Sequence, residues 1–168
     1  MNAVEWLTPE QQRAWRVLVE VNARLRAHLD VELLSGHGIG FGDYEVLVFL
    51  SEAPDNRLRM SELAERLLLS PSGATRRLDG LVRRGLVERA VCPSDRRGTL
   101  AVLTPAGRAV LKGAAPTHVA GVRRYVIDAL SSTQLRALAG ALEQVGEALG
   151  PAPSCPTEIP PVSARRAR

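Results

Sequence analysis

Apolar residues recur along this chain first with a helical period. From Thr8 to about Leu34, Trp15, Leu18, Leu25 and Leu29 fall at helical spacing, Ala14, Val17 and Val21 broaden the stripe, and Arg13, Arg16, Glu20 and Arg24 lie elsewhere. Thr8-Pro9-Glu10-Gln11 supplies the start: a capping hydroxyl, a Pro in the first turn, and a carboxylate near the positive end of the helix dipole. The run Ser35 to Gly40 breaks this helix, and the apolar block around Tyr44, Val46, Leu47, Phe49 and Leu50 predicts a shorter buried one over Gly42 to Ser51.

Pro54-Asp55-Asn56 ends that block, and Leu58-Arg59-Met60 reads as a short extended piece. A third helix then begins with Ser61 as its cap and runs to Leu67. Ser70-Pro71 repeats the cap-then-Pro signal so soon afterwards that a fourth helix must begin almost where the third stops, which makes a helix-turn-helix. The fourth helix buries Ala74, Leu78, Leu81 and Val82, leaves Ser72, Arg76, Asp79 and Gly80 outward with Thr75 and Arg77 flanking, and ends at Gly85.

Leu86 to Val91 and Thr99 to Leu103 are β-compatible, and the turn-forming stretch Cys92 to Gly98 between them predicts a hairpin with a basic tip. Thr104-Pro105 opens a fifth helix with Leu111, Ala115, Val122, Val126 and Leu130 on one side and a kink expected at Pro116. Ser131 or Ser132 caps a final helix in which Leu135, Leu138, Leu142, Val145 and Leu149 alternate steps of three and four, the spacing of an interhelical seam. Gly150-Pro151 stops it, and the Pro-rich, Arg-ended stretch 150–168 reads as a flexible basic tail. The expected fold is mainly α with a small β-hairpin wing, an α+β winged helix-turn-helix.

Composition narrows what such a fold does here. At 168 residues, with 45% hydrophobic and 24% charged, the chain fits one folded domain with an appendage. Its longest apolar runs, such as Val46 to Leu50, are far too short to span a membrane, and the amino terminus lacks the basic start and apolar stretch of a secretion signal, so a cytoplasmic location and no membrane partner are expected. Cys92 and Cys155 are too few for a disulfide framework or a thiolate metal site. No GxGxxG, GxxxxGK or HExxH pattern occurs, which argues against an enzyme and against a bound cofactor. Residues 55–108 carry 11 Arg against 6 Asp and Glu in a chain of net charge +4, so the positive charge is concentrated on the helix-turn-helix and hairpin.

On duplex DNA each part of that region has a physical job. Ser70, Ser72 and Thr75 can donate to phosphates or bases, and Arg76 and Arg77 can pair with guanine or hold the backbone. Arg96 and Arg97 at the hairpin tip suit a narrow minor groove, with Asp95 placed to hold one guanidinium. The rival is a winged helix that binds another protein; the outward Arg76 and Arg97 and the charge asymmetry favour DNA.

Ser61-Glu62-Leu63-Ala64, Thr75-Arg76, Arg84-Gly85-Leu86-Val87 and the run from Asp95-Arg96-Arg97-Gly98 through Leu103-Thr104-Pro105-Ala106-Gly107-Arg108 resemble the MarR family of regulators. The resemblance covers roughly residues 8–149, and its most specific piece is Asp95-x-Arg97 with Leu103-Thr104-x-x-Gly107 behind it. It implies a homodimer in which 8–34 with 104–149 form a helical dimerisation lobe and 42–103 a DNA-binding lobe, reading a pseudopalindromic operator. Repression relieved by a small molecule bound between the lobes is the implied action. Thr75 and Arg76 then take the major groove and Arg97 the minor groove, braced by Asp95. Arg77 stands where many relatives carry an apolar residue. Trp15, Glu45 and His118 are similar to positions in the branch that answers to urate and related phenolic compounds, with Glu45 where that branch carries Asp and Tyr44 a neighbouring candidate; the implied effector is a small aromatic. Trp15 and Tyr44 also suit the ordinary role of aromatics in an apolar stripe, core or interface, and His118 that of an interface histidine.

Overall fold

The Thr8 cap forms as expected: Gln11 N–H donates to Thr8 Oγ1 at 3.2 Å and Thr8 N–H to Gln11 Oε1 at 2.8 Å, a reciprocal box that starts helix α1 (Pro9–His37). In this computed structural model residues 4–92 and 95–150 are described, the side chains of 95–97 excepted. The stretch expected as a tail lies, from Pro151 on, outside the described residues. The α1 helix runs one turn beyond the expected end, to a left-handed Gly38. The Asp30 carboxylate accepts from Phe41 N–H at 2.7 Å, capping helix α2 (Phe41–Glu52) from a neighbouring element.

A 3-10 turn (Pro54–Asn56) leads to strand β1 (Arg57–Arg59), then to helices α3 (Met60–Arg66) and α4 (Pro71–Arg83). The cap of α3 is Arg59, ahead of the expected Ser61. Its amide donates to Glu62 Oε2 at 3.2 Å, so the acid of Ser61-Glu62 closes the helix start while the serine lies inside it. Strands β2 (Val87–Cys92) and β3 (Asp95–Leu103) form the hairpin. The strand β3 begins at Asp95, inside the stretch expected to be loop, because Cys92 pairs with Asp95 across an irregularity after Val91. The short extended piece before α3 is also more than a linker. It pairs antiparallel with β3, Leu58 opposite Ala101, and gives a three-stranded sheet in the order β1-β3-β2.

The final elements are α5 (Pro105–Val122), a π-helical turn (Arg123–Ile127) and α6 (Ser132–Leu149). The α5 helix continues through Pro116, and the irregularity recorded here is the π turn after Val122. Ser131 is the cap of α6: it accepts from Gln134 N–H at 3.3 Å while its own amide donates to Gln134 Oε1 at 2.9 Å.

The chain divides into two compact units. One comprises Met1–Tyr44 with Val110–Ala139. Leu29, Leu33, Ile39 and Ala114 are buried there. Its polar ties include His37 to Thr117 at 2.8 Å and Glu32, whose Oε1 accepts from Arg124 at 2.8 Å and from the Tyr125 hydroxyl at 2.6 Å. The Tyr125 hydroxyl and the Glu32 carboxylate together raise the Arg124 pKa. The other unit comprises Glu45–Ala109 and the chain from Gly140 onward. Its centre is built from Leu47, Leu50, Leu63, Leu78, Leu81 and Val87, none more than 1% exposed.

Where β3 passes into α5, one hydroxyl serves several backbone groups. Thr104 Oγ1 accepts from Gly107 N–H at 3.0 Å, capping α5, and lies 2.8 Å from Gly85 O and 3.0 Å from Leu86 O as donor. Gly107 is buried against the same place: a Cβ there would sit 2.0 Å from Leu86 O, a separation no side chain tolerates. Gly107→Ala is therefore expected to cost about 2–3 kcal/mol of stability through forced backbone displacement. Thr104→Val, which keeps the shape and removes the cap, should cost about 1 kcal/mol. Denaturant titration followed by far-ultraviolet circular dichroism measures both, and a Gly107→Ala variant as stable as the parent would show that the junction is loose.

Candidate nucleic-acid interface

The turn between α3 and α4 is closed by backbone alone. Leu68 N–H donates to Glu65 O at 3.1 Å and Leu69 N–H to Ala64 O at 3.0 Å, the paired bonds of a Schellman ending. The residue that must enter the left-handed region is Leu68, at φ 54, where glycine is the usual occupant. It is 74% exposed, so packing returns little for the strain. Ser70 follows as the cap of α4, accepting from Gly73 N–H at 3.1 Å, with its hydroxyl 3.2 Å from that of Ser72. Pro71 at the first position then sends α4 out of the turn.

Along α4 the burial separates the residues by task. Ala74, Leu78 and Leu81 are 0–1% exposed and anchor the helix in its unit. Ser72, Thr75 and Arg76 are exposed on the other side, and Arg77 and Asp79 are half-buried between the two. The Thr75 hydroxyl donates to Pro71 O at 2.8 Å, which orients the side chain and leaves its methyl and oxygen at the surface. Ser70, Ser72, Thr75 and Arg76 thus share the amino-terminal half of one helix, the half that can approach base edges.

The sheet adds two arginines that the linear pattern did not single out. Arg89 on β2 pairs with Asp79 of α4 at 2.8 Å, both side chains about 40% exposed, which ties the wing to the helix with direction more than with energy. Arg89 and Arg59 of β1 line, with Ser61, Thr75 and Thr99, an open cleft of about 490 Å³. Guanidinium groups and hydroxyls of this kind suit an anionic partner. Only the antiparallel pairing of β1 with β3 brings Arg59 here, and three residues carry too little periodicity to reveal it. Asp95, Arg96 and Arg97 begin β3 beyond the irregularity; their side chains lie outside the described residues.

The candidate effector residues are distributed differently. The Tyr44 and His118 rings stand 4.7 Å apart, and Phe41 meets the other side of this cluster, 5.9 Å from His118 with Arg26 stacked on it at 4.6 Å. Glu45 is half-buried on α2 and Trp15 is 58% exposed on the first half of α1. Cys92 is buried on β2. Among the described residues no helix is long and apolar enough to cross a membrane, and no cluster of His, Cys, Asp or Glu is placed to hold a metal ion.

This arrangement has relatives. A MarR family model matches residues 37–98. The chain is similar to the crystal structure of Sco3205, a MarR family transcriptional regulator from Streptomyces coelicolor in complex with DNA, at 38% identity and a TM-score of 0.84, covering 92% of this chain and 96% of that one. AbsC, a MarR family transcriptional regulator from the same organism, is 42% identical with a TM-score of 0.80, covering 87% of this chain and 98% of AbsC. Among curated proteins the HTH-type transcriptional repressor YetL of Bacillus subtilis is 35% identical over 91 residues, 54% of each chain, so the chain matches about half the length of that repressor.

Leu68→Gly should raise stability by about 0.5–1 kcal/mol, relief of the left-handed conformation outweighing the added freedom of the unfolded chain. A thermal melt that moves downward would show that the leucine side chain contributes packing worth more than the strain.

Proposed function

The chain belongs to the MarR family of transcriptional regulators, and we propose that it is a repressor that binds a pseudopalindromic duplex operator as a homodimer and responds to a small aromatic effector. The observation that carries the proposal is the face of α4: Ser72, Thr75 and Arg76 exposed on a helix whose opposite side is fully buried, directly after a Ser70 cap. The similarity to Sco3205, solved in complex with DNA, supports DNA as the partner. Arg59 and Arg89, the latter held by Asp79, put guanidinium groups beside Thr75, and Arg97 on the wing is proposed to reach the minor groove with Asp95 as its brace.

Two further features support the finer parts. Trp15, Leu18, Leu138, Leu142 and Val145 are 41–58% exposed in the single chain, although they fall on the regular stripes of α1 and α6. A second copy covers them in this proposal, and two-fold symmetry then sets paired recognition helices against half-sites about one helical turn apart. The Tyr44 and His118 rings, in contact at 4.7 Å and tilted by 33°, supply aromatic surface of the kind that suits a phenolic ring as effector.

Gel-shift titration with the DNA upstream of its own gene, across a salt series, tests the proposal. Affinity is expected to fall steeply as salt rises. Arg76→Ala should weaken operator binding by roughly 10–100-fold through a lost base-edge pair. Arg97→Ala should weaken it with an unchanged melting temperature, and added phenolic acids should release the complex. A dimer that shows no duplex affinity in dilute buffer would instead favour a winged helix that binds another protein.

A further inference from the structure

The segment ahead of α1 carries apolar side chains that the described residues of this chain leave uncovered. Trp6 is 85% exposed, Val4 71% and Leu7 56%. All precede the Thr8 cap, so none belongs to the stripe of the helix itself. We propose that residues 4–7 are an arm that closes over a second copy of this chain, with Trp6 as its anchor. The proposal rests on the homodimer put forward above and adds a contact which that dimer does not require.

Area, reach and charge all point to that occupant. An exposed tryptophan offers on the order of 200 Å², against about 800 Å² that each partner contributes to a standard interface. Trp6 stands two residues ahead of Thr8, roughly 7 Å of extended chain, and its own side chain adds to that reach, so it can lie against the flank of an element packed beside the start of α1. The arm is continuous with a region that already demands cover. Trp15, Val17, Leu18, Val19 and Val21 are all 42–58% exposed, and Trp15 and Val17 point about 160° apart on a 3.6-residue helix. A helix with apolar residues on opposite sides is one that partners enclose from more than one direction. The arm itself holds Glu5 and no Lys or Arg, so it brings no cation to a phosphate backbone or an anionic lipid surface. A two-fold interface is self-complementary, so each copy both extends an arm and receives one.

The chain contains two tryptophans, and Trp15→Phe leaves Trp6 as the single reporter. In the full-length Trp15→Phe dimer, Trp6 emission should be blue-shifted and its acrylamide quenching at least about threefold below that of the unfolded chain, with both signals reverting on dilution to monomer. Trp6→Ala, a change at a solvent-facing position of the single chain, should raise the dimer dissociation constant at least about tenfold by analytical ultracentrifugation. A dimer whose Trp6 stays solvent-like and whose Trp6→Ala variant dissociates no more readily overturns the arm and leaves the homodimer standing. A Trp6 equally protected in a monomer overturns the arm as a contact between copies. A parent chain that is monomeric at every concentration overturns both proposals.

Discussion

One threonine hydroxyl and the glycine three residues after it hold the wing to the helix that follows. Thr104 caps α5 through Gly107 N–H while its oxygen also lies within bonding distance of the Gly85 and Leu86 carbonyls, at the end of the turn that leaves α4. Gly107 lets the first turn of α5 press against Leu86 O, where any side chain would clash. The end of α4, the return of β3 and the start of α5 therefore meet at one point, and each is set by the others. Gly85, left-handed at φ 69, ends α4 by taking a backbone conformation that a side chain would strain.

From that junction the exposed face of α4 follows. Leu78 and Leu81 are fixed in the unit's core, so rotation of the helix is fixed too, and Thr75 and Arg76 have only one direction left to face. The Arg89 to Asp79 pair adds a check on the wing relative to the helix at little energetic gain. The strained Leu68 in the turn shows that the sharp change of direction between α3 and α4 is dictated by the surrounding packing rather than by the preference of the residue that makes it.

Much of this could be read in advance because the signals were local. The cap-and-Pro pairs at Thr8, Ser70 and Thr104 each mark a helix start that the structure contains, since a capping hydroxyl acts within three residues of its own position. The stripe Ala74, Leu78 and Leu81 is likewise a property of one helix. The misses were non-local or sat at element ends. Arg59 rather than Ser61 caps α3 because strand pairing of β1 fixes where the chain leaves the sheet. The early start of β3 depends on a pairing across the hairpin that turn-forming residues conceal. The π turn at Arg123–Ile127, which helical periodicity does not anticipate, sits beside the Glu32, Arg124 and Tyr125 ties to α1.

The amino-acid order alone determined the sequence of helices and hairpin, the buried face of each, the concentration of arginine over residues 55–108 and the family resemblance, because periodicity, caps and charge are all expressed within a few residues. Tertiary structure decided what depends on residues far apart in the chain: the third strand, the placing of Arg59 and Arg89 beside Thr75, the contact of His118 with Tyr44, and the left-handed leucine at the turn. Those are outcomes of packing, in which a residue adopts the position that its distant neighbours allow.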